Sequence, residues 1–356
     1  MRTLMLDIAA LWKSRWSFKI ALLYLLALLI LVLVLPFLPL PYAPNQLDLE
    51  NVFLKPFESS LHILGTDQLG RDVLVNTLYG ARNGLLIAMP VMLISSFVGT
   101  TIGALAGYVG NNEIKLERAA LFTGICCVLL LSYYFLYVPL QVVTYDLPAT
   151  IVYISLAAGI SICLFLWFVI RPLVARLSFL RVKAKIPFDS ITLRTIELLT
   201  SLPKLLILIS VSAFAPPSVM LLSIILICTY WTATARLSRA EMLRIKQLPY
   251  MEAALSTGMS HKRIIFREAI PNLISPVVVV FIFGVGGLLA IESTLSFLGI
   301  GLPATFPSWG RTIAGIRSNL SAWWLVAFPG GFLALTVLAL QICSYNLVRI
   351  TQERGR

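Results

Sequence analysis

Residues 236–272 read RLSRAEMLRIKQLPYMEAALSTGMSHKRIIFREAIPN, a polar and basic stretch between two long apolar runs. A chain that alternates such runs with charged interruptions is built to cross a bilayer repeatedly, and the interruptions are where it meets water. The punctuation of this one predicts three short helices. Pro249 disfavours helix at Leu248 and suits a first helical position, while Gly258 suits the position just past an end. Together they bound a helix of about two turns. Glu252 falls in its first turn, where a carboxylate complements the helix dipole. Ser260 is placed to cap a third helix that Pro271 stops or kinks. On the middle helix Met251, Ala254 and Leu255 share one face at helical spacing, with small Ala253 beside them. A short helix with apolar knobs and basic flanks suits insertion into a groove on a soluble partner, and it equally suits lying on lipid headgroups.

The rest of the chain agrees with the membrane reading. Of its 356 residues 59% are hydrophobic and only 12% charged, with mean hydropathy +0.91, too apolar for a soluble globular domain. A net charge of +12 from 28 basic and 16 acidic side chains would suggest nucleic acid in a soluble protein. Here the placement of the charges speaks for orientation in a lipid bilayer, and no nucleic-acid partner is expected. The five cysteines lie in or beside apolar runs without CxxC spacing, so they read as small buried hydrophobes with no disulfide or metal site. His62 and His261 lie too far apart to suggest a metal pair.

In chain order the expected parts are a basic N-tail (1–19), a first, uncleaved span (20–38), an acidic outer loop (39–84) and a second span (85–109). A transmembrane hairpin with a basic linker follows (110–190), then a core (191–348) and a C-tail (349–356). In the outer loop, GTDQLGRD offers tight backbone at Gly70 and an Asp67, Arg71 and Asp72 cluster able to form local ion pairs or cap the next helix. No nucleophile, base or ligand set accompanies these carboxylates, so no catalytic residue is expected. Gly99, Gly103 and Gly107 recur every fourth residue in the second span, a stripe for close helix packing. The hairpin holds apolar runs at 119–140 and 149–170, then Arg171, Arg176, Arg181, Lys183 and Lys185.

The core should hold four spans, at 191–214, 219–235, 275–291 and 325–348, with a turn-rich outer segment from Glu292 to Trp324, making eight spans in all. In the fifth span Glu197, Thr200, Ser201 and Lys204 form one polar stripe, and Pro203 is placed to kink it. Ionisable groups at membrane depth are costly, so the stripe faces either a translocation pathway or buried contacts with a partner. Segments assigned to the cytoplasm carry 21 of the 28 basic residues (four, two, five, seven and three in chain order), and outer segments carry 5. The positive-inside rule therefore puts both termini and the 236–272 stretch in the cytoplasm.

Three sets of residues carry a resemblance. EAALSTG (252–258) followed by REAIPN (267–272) is similar to the EAA loop of bacterial ABC-importer permeases, the helix that docks on the ATPase. LGTDQLGRDV (64–73) with YGAR (79–82), and ESTLSFLGIGLP (292–303) with PSWG (307–310), resemble the C-type permease of the dipeptide/oligopeptide/nickel importers. WTATAR (231–236) adds to the match. The resemblance implies an all-α polytopic fold, a six-span type I permease core to which the 110–190 hairpin is added. It implies a bacterial inner-membrane protein for ATP-driven peptide uptake, with nickel or another small solute as the alternative cargo. Met251, Glu252, Ala253, Ala254, Leu255 and Gly258 would couple to the ATPase. Asp67, Gly70, Arg71, Asp72 and Glu292 would form an outer element contributing to the gate or to binding-protein docking. Partners would be a B-type permease, two ABC ATPase subunits or domains and an extracytoplasmic solute-binding protein. This chain has no GxxxxGK[ST] loop, so ATP and Mg would bind on partner subunits and no cofactor on this one. A secondary transporter driven by an ion gradient, using Glu197, Lys204 and Glu292, is the competing mechanism, and the chain shows no repeated half in its favour. Glu268 and Ala269 depart from the residues common in that family.

Overall fold

A computed structural model of the chain describes Leu11 and residues 15–145, 147, 148, 150–212 and 217–353. Arg2 and Lys13 of the expected N-tail, Arg354 and Arg356 of the C-tail, position 149 and the end of the fifth span at 213–214 lie outside the described residues. In chain order the main elements are α1 (Trp16–Val34, extended by a 3-10 turn, Leu35–Phe37), α2 (Val73–Val109), β1 (Lys115–Glu117), α3 (Arg118–Ser132) and α4 (Thr150–Phe165). There follow β2 (Lys183–Lys185), α5 (Phe188–Ser201), α6 (Lys204–Ser212), α7 (Val219–Lys246), α8 (Pro249–Ser256), α9 (Ile270–Phe297), α10 (Trp309–Ala314) and α11 (Trp324–Glu353). Among the described residues 7 helices are long and apolar enough to cross a membrane, or 8 if the bent pair α5 and α6 is counted as one broken span. The fold is an all-α polytopic one.

Several expected boundaries move. The second span begins at Val73 rather than 85, so the last part of the expected outer loop is helical. The sixth runs to Lys246, which absorbs the first of the three short helices into α7. Residues 236–246 carry no Pro or Gly, so nothing stops a helix that has already started. The seventh span runs from Ile270 to Phe297 and the eighth from Trp324 to Glu353.

Pro271 does not stop its helix. A π-helical segment, Ile264–Ala269, precedes it, and the chain continues into α9. The same device recurs twice: Tyr133–Tyr137 precedes Pro139, and Leu166–Ile170 precedes Pro172. Proline lacks an N–H and its ring crowds the carbonyl four residues back, and widening the preceding turn relieves both conflicts without ending the helix.

The chain forms two compact units, one of Met1–Tyr108 with Thr192–Arg356, the other of Val109–Ile191. The core of the first unit gathers Ile87, Val91 and Met92 of α2, Leu226 and Tyr230 of α7, Leu288 and Leu289 of α9, Trp309 of α10 and Leu340 of α11. The glycine stripe is where α2 and α7 approach: a Cβ at Gly103 would overlap the Ala235 backbone, and one at Gly107 would lie 2.7 Å from the Arg239 carbonyl. α1 packs on α11 through Phe18, Ala21, Ala339 and Cys343, and the Tyr24 hydroxyl lies 3.0 Å from Thr336 Oγ1.

In the second unit α3 packs on α4, and a short antiparallel ribbon that the sequence did not announce pairs Lys115 with Lys185 and Glu117 with Lys183. The Cys127 thiol faces the Cys163 carbonyl at 3.8 Å and the Cys163 thiol returns the contact at 3.7 Å. The reading of all five cysteines as buried needs correction. Cys343 is buried, Cys126, Cys127 and Cys163 are half-buried, and Cys228 is exposed on the outward side of α7, where an apolar thiol suits a lipid-facing position.

Candidate functional site

The eight-residue helix α8 is bounded as its sequence dictates. Leu248 is extended (φ −80, ψ 142), as a residue before proline should be, and Pro249 opens the helix. At the other end Gly258 is left-handed, with φ +72. Its N–H donates to the Leu255 carbonyl at 3.0 Å, and the Met259 N–H donates to that of Ala254 at 3.2 Å, the paired bonds of a glycine-terminated helix. A Cβ at 258 would meet nothing within 4 Å, so the demand for glycine is purely conformational. Ser260 does precede the next helical turn, but its side chain makes no capping bond, contrary to expectation. Its backbone carbonyl accepts from Ile264 instead.

The expected common face of Met251, Ala254 and Leu255 is split. Met251 is 1% exposed and sinks among Met242 and Ile245 of α7, Ile264, Ala269 and Leu273. Ala254 is half-buried at the edge of that cluster, while Leu255 is 45% exposed. Residues four apart on a helix differ in direction by about 40°, enough for the boundary between inside and outside to pass between Met251 and Leu255. Glu252, Ala253, Leu255 and Gly258 thus form the outward surface, and Met251 is the fastening.

Polar contacts tie the same region together. Asn272 Nδ2 donates to the Tyr250 hydroxyl at 3.0 Å, and burial pushes the Tyr250 phenol above its ordinary pKa. Tyr108, at the end of α2, meets His261 Nδ1 through its hydroxyl at 2.6 Å and accepts from Lys246 Nζ on its carbonyl at 2.9 Å. The ends of α2, α7 and α9 therefore converge on α8.

A second constellation lies at the far end of α9, about 28 Å away by helix rise from Leu273 to Glu292. Glu292 belongs to that helix and not to a turn-rich segment, a correction that follows from α9 running on to Phe297. It is 2% exposed, and its carboxylate accepts from Ser296 Oγ at 2.8 Å and Ser293 Oγ at 3.3 Å. Beside it the PSWG turn packs on α2. Trp309 Nε1 donates to the Thr77 carbonyl at 2.9 Å, and Asn83 Nδ2 donates to the Pro307 carbonyl at 3.0 Å. Arg311 ties the turn down through the Pro303 carbonyl at 2.6 Å and the Leu302 carbonyl at 2.9 Å, and burial lowers its pKa.

The GTDQLGRD stretch joins this knot by the second of its two expected routes, as a helix cap. Asp72 caps α2, accepting from the Val75 N–H at 2.8 Å, and its other oxygen meets His62 Nδ1 at 2.9 Å. Asp67 accepts from the Leu69 and Arg71 backbone amides at 2.8 and 3.0 Å, while the Arg71 guanidinium reaches Asn45. Among the described residues no ion pair joins Arg71 to either aspartate, so of the two expected roles the structure shows capping and not local pairing. Gly70 has φ +70, and a Cβ there would overlap the Asp48 carbonyl. His62, 1% exposed, is the residue the sequence reading missed. It lies between Asp72 and Asp48, 3.4 Å from the latter, and stacks on Tyr42. The Asn51 hydrogen bond, ahead of His62, holds the Asp48 carboxyl below its usual pKa.

The polar stripe of the fifth span is interrupted. α5 and α6 are bent by 73° across Leu202 and Pro203, so Lys204 sits on a different helix from Glu197, Thr200 and Ser201. Glu197 pairs with Arg194 at 2.9 Å, and Lys204 Nζ stands 4.1 Å over the Tyr230 ring. Thr200 and Ser201 return their hydroxyls to the carbonyls of Ile196 and Leu198 at 2.7 Å each. Among the described residues no group of three or more His, Cys, Asp and Glu is arranged to hold a metal.

Comparison with known proteins adds to this geometry. Residues 173–354 match the family of binding-protein-dependent transport system inner membrane components. A putative peptide transport system permease protein of Brucella suis biovar 1 (strain 1330) is 27% identical over 341 residues, covering 96% of this chain and 88% of its own length. The dipeptide transport system permease protein of Bacillus subtilis (strain 168) is 28% identical, covering 92% and 78%. The oligopeptide transport system permease protein of Haemophilus influenzae is 25% identical, covering 83% and 72%.

Proposed function

The chain belongs to the family of binding-protein-dependent transport system inner membrane components, and from that premise we propose that it is the membrane permease of a peptide importer driven by separate ATPase subunits. Relatives named as peptide, dipeptide and oligopeptide permeases support the choice of cargo. As a permease component it is not itself the catalyst. A second permease subunit completes the pathway, two ATPase subunits or domains supply the work, and an extracytoplasmic binding protein delivers the peptide. In this reading both termini and α8 face the cytoplasm, which the distribution of basic residues supports.

The observation that carries the reading is the division of α8 into a buried fastening and an exposed surface. Glu252, Ala253 and Leu255 fill a groove on the ATPase. Movement of the ATPase is then transmitted through Met251 to α7 and α9, because a close-packed cluster moves as a body instead of deforming. α9 carries the displacement to the knot around Glu292, Trp309 and Asp72, which forms part of the outer gate or of the binding-protein dock. Glu197, Thr200, Ser201 and Lys204 flank the bend of the fifth span and line the path of the peptide.

Glu252→Lys tests the docking. The ATPase should co-purify with the variant about tenfold less, a loss of about 1.4 kcal/mol, with permease yield unchanged. Wild-type recovery of the ATPase together with normal uptake would overturn the assignment.

A further inference from the structure

The Val109–Ile191 unit carries a feature to which the proposed transport reading assigns no role. A cleft of about 510 Å³ opens where α4 ends, lined by Glu117, Trp167, Phe168, Arg171, Arg176 and Arg181. Three guanidinium groups face one carboxylate. Arg171 lies 3.8 Å from Glu117, a long contact, and stands 4.7 Å over the Trp167 ring. Among the described residues the Arg176 and Arg181 side chains have no hydrogen-bond or ion-pair partner, and both are exposed. The cleft therefore holds an excess of positive charge in fork-shaped donors that match a phosphate bidentately.

Its surroundings narrow the anion further. Arg118 opens one apolar span and Arg171 lies near the end of the other, so both reach one boundary of the bilayer, with Trp167 a turn deeper at the level where tryptophans anchor. The floor is apolar and open: Phe168 is 70% exposed, and Leu173 and Phe179 stand out beside it. Below it the exposed faces continue without charge through Ile125, Val128 and Leu129 of α3 and Ile154, Leu164 and Phe165 of α4. A soluble anion gains nothing from that apron, whereas a lipid lays its acyl chains along it.

We propose that this cleft binds the phosphodiester headgroup of an anionic phospholipid, with Arg171, Arg176 and Arg181 on the phosphate and Trp167 and Phe168 against the glycerol and upper chains. The size suits a headgroup, and basic pockets between spans on the cytoplasmic side are favoured by the anionic lipids of that leaflet.

The test uses the purified full-length chain, titrated with phosphatidylglycerol or phosphatidylcholine and read by native mass spectrometry. Wild type should retain phosphatidylglycerol at least about tenfold more strongly than phosphatidylcholine. The triple variant Arg171→Gln, Arg176→Gln, Arg181→Gln should lose at least about tenfold of that retention, because it removes the guanidinium groups that line the cleft. Lys115→Gln, Lys183→Gln, Lys185→Gln removes the same charge from the neighbouring ribbon and should change retention less than about twofold. Equal losses in the two triples would reduce the effect to general attraction and overturn the site. So would equal retention of the two lipids by wild type. Displacement of the lipid by millimolar inorganic phosphate would assign the cleft to a free anion instead. Should the triple variant fail to fold, hydrogen exchange on wild type decides. Amides of residues 171–182 should slow at least about threefold in phosphatidylglycerol nanodiscs relative to phosphatidylcholine ones, and no difference would overturn the proposal.

Discussion

Replacing Met251 by alanine separates fastening from docking. Met251 is 1% exposed in a cluster drawn from α7, α8 and the start of α9. Truncating a buried methionine to alanine costs about 2–5 kcal/mol. A helix of the length of α8 has no stability of its own in water, so the cost falls on its attachment more than on the fold as a whole. Taking the lower figure, amides of residues 249–258 should exchange about 30-fold faster in the full-length protein in nanodiscs. Met251→Leu conserves volume and should cost less than about 1.5 kcal/mol, so exchange should rise less than in Met251→Ala. Leu255→Ala, at a position 45% exposed, should leave exchange within about twofold while lowering recovery of the ATPase. Unchanged exchange in Met251→Ala, or an equal rise in Leu255→Ala, would refute the division of the helix into an inner and an outer side.

Gly258→Ala and Gly258→Val should cost about 1–2 kcal/mol through the left-handed backbone alone, read as faster exchange at Met259, with valine the worse. Gly103→Leu should abolish recovery of folded protein, because its side chain would enter the Ala235 backbone. Gly124→Leu, at a position with open space around it, should be tolerated. Asp72→Ala removes the cap of α2 and a partner of buried His62, and should lower thermal stability by at least about 1 kcal/mol while Glu58→Ala on the exposed surface does not. Uptake by Lys204→Met and Glu197→Gln should fall several-fold in at least one variant, and normal uptake in both would remove these residues from the pathway.

Much of the fold is written in local signals. The apolar runs announce the spans, and Pro249 and Gly258 bound α8 because each acts through its own backbone. The spacing of Gly99, Gly103 and Gly107 states that a second backbone comes close, though not that it belongs to α7. What local signals leave open is direction and partnership. Helical spacing groups Met251 with Leu255 but cannot say where the edge of the core falls between them. Asp67, Arg71 and Asp72 look like an ion-pair cluster until His62, in the same outer segment, competes for Asp72. Glu292 reads as the start of a loop because charge suggests water, while Ser293 and Ser296 on its own helix satisfy it in the interior. Pro203 does announce the kink of the fifth span, but not its 73° size, which is what separates Lys204 from the face of Glu197, Thr200 and Ser201. The π segments before Pro139, Pro172 and Pro271 resolve a conflict that sequence rules settle only as a stop or a kink.

The central claim is that the outward face of α8 meets the ATPase. A photo-crosslinker placed at Ala253 in the assembled importer tests it most directly. The account predicts an adduct with the ATPase subunit whose yield changes when ATP is bound. An adduct confined to lipid or to the extracytoplasmic binding protein, in complexes that still import peptide, would contradict it.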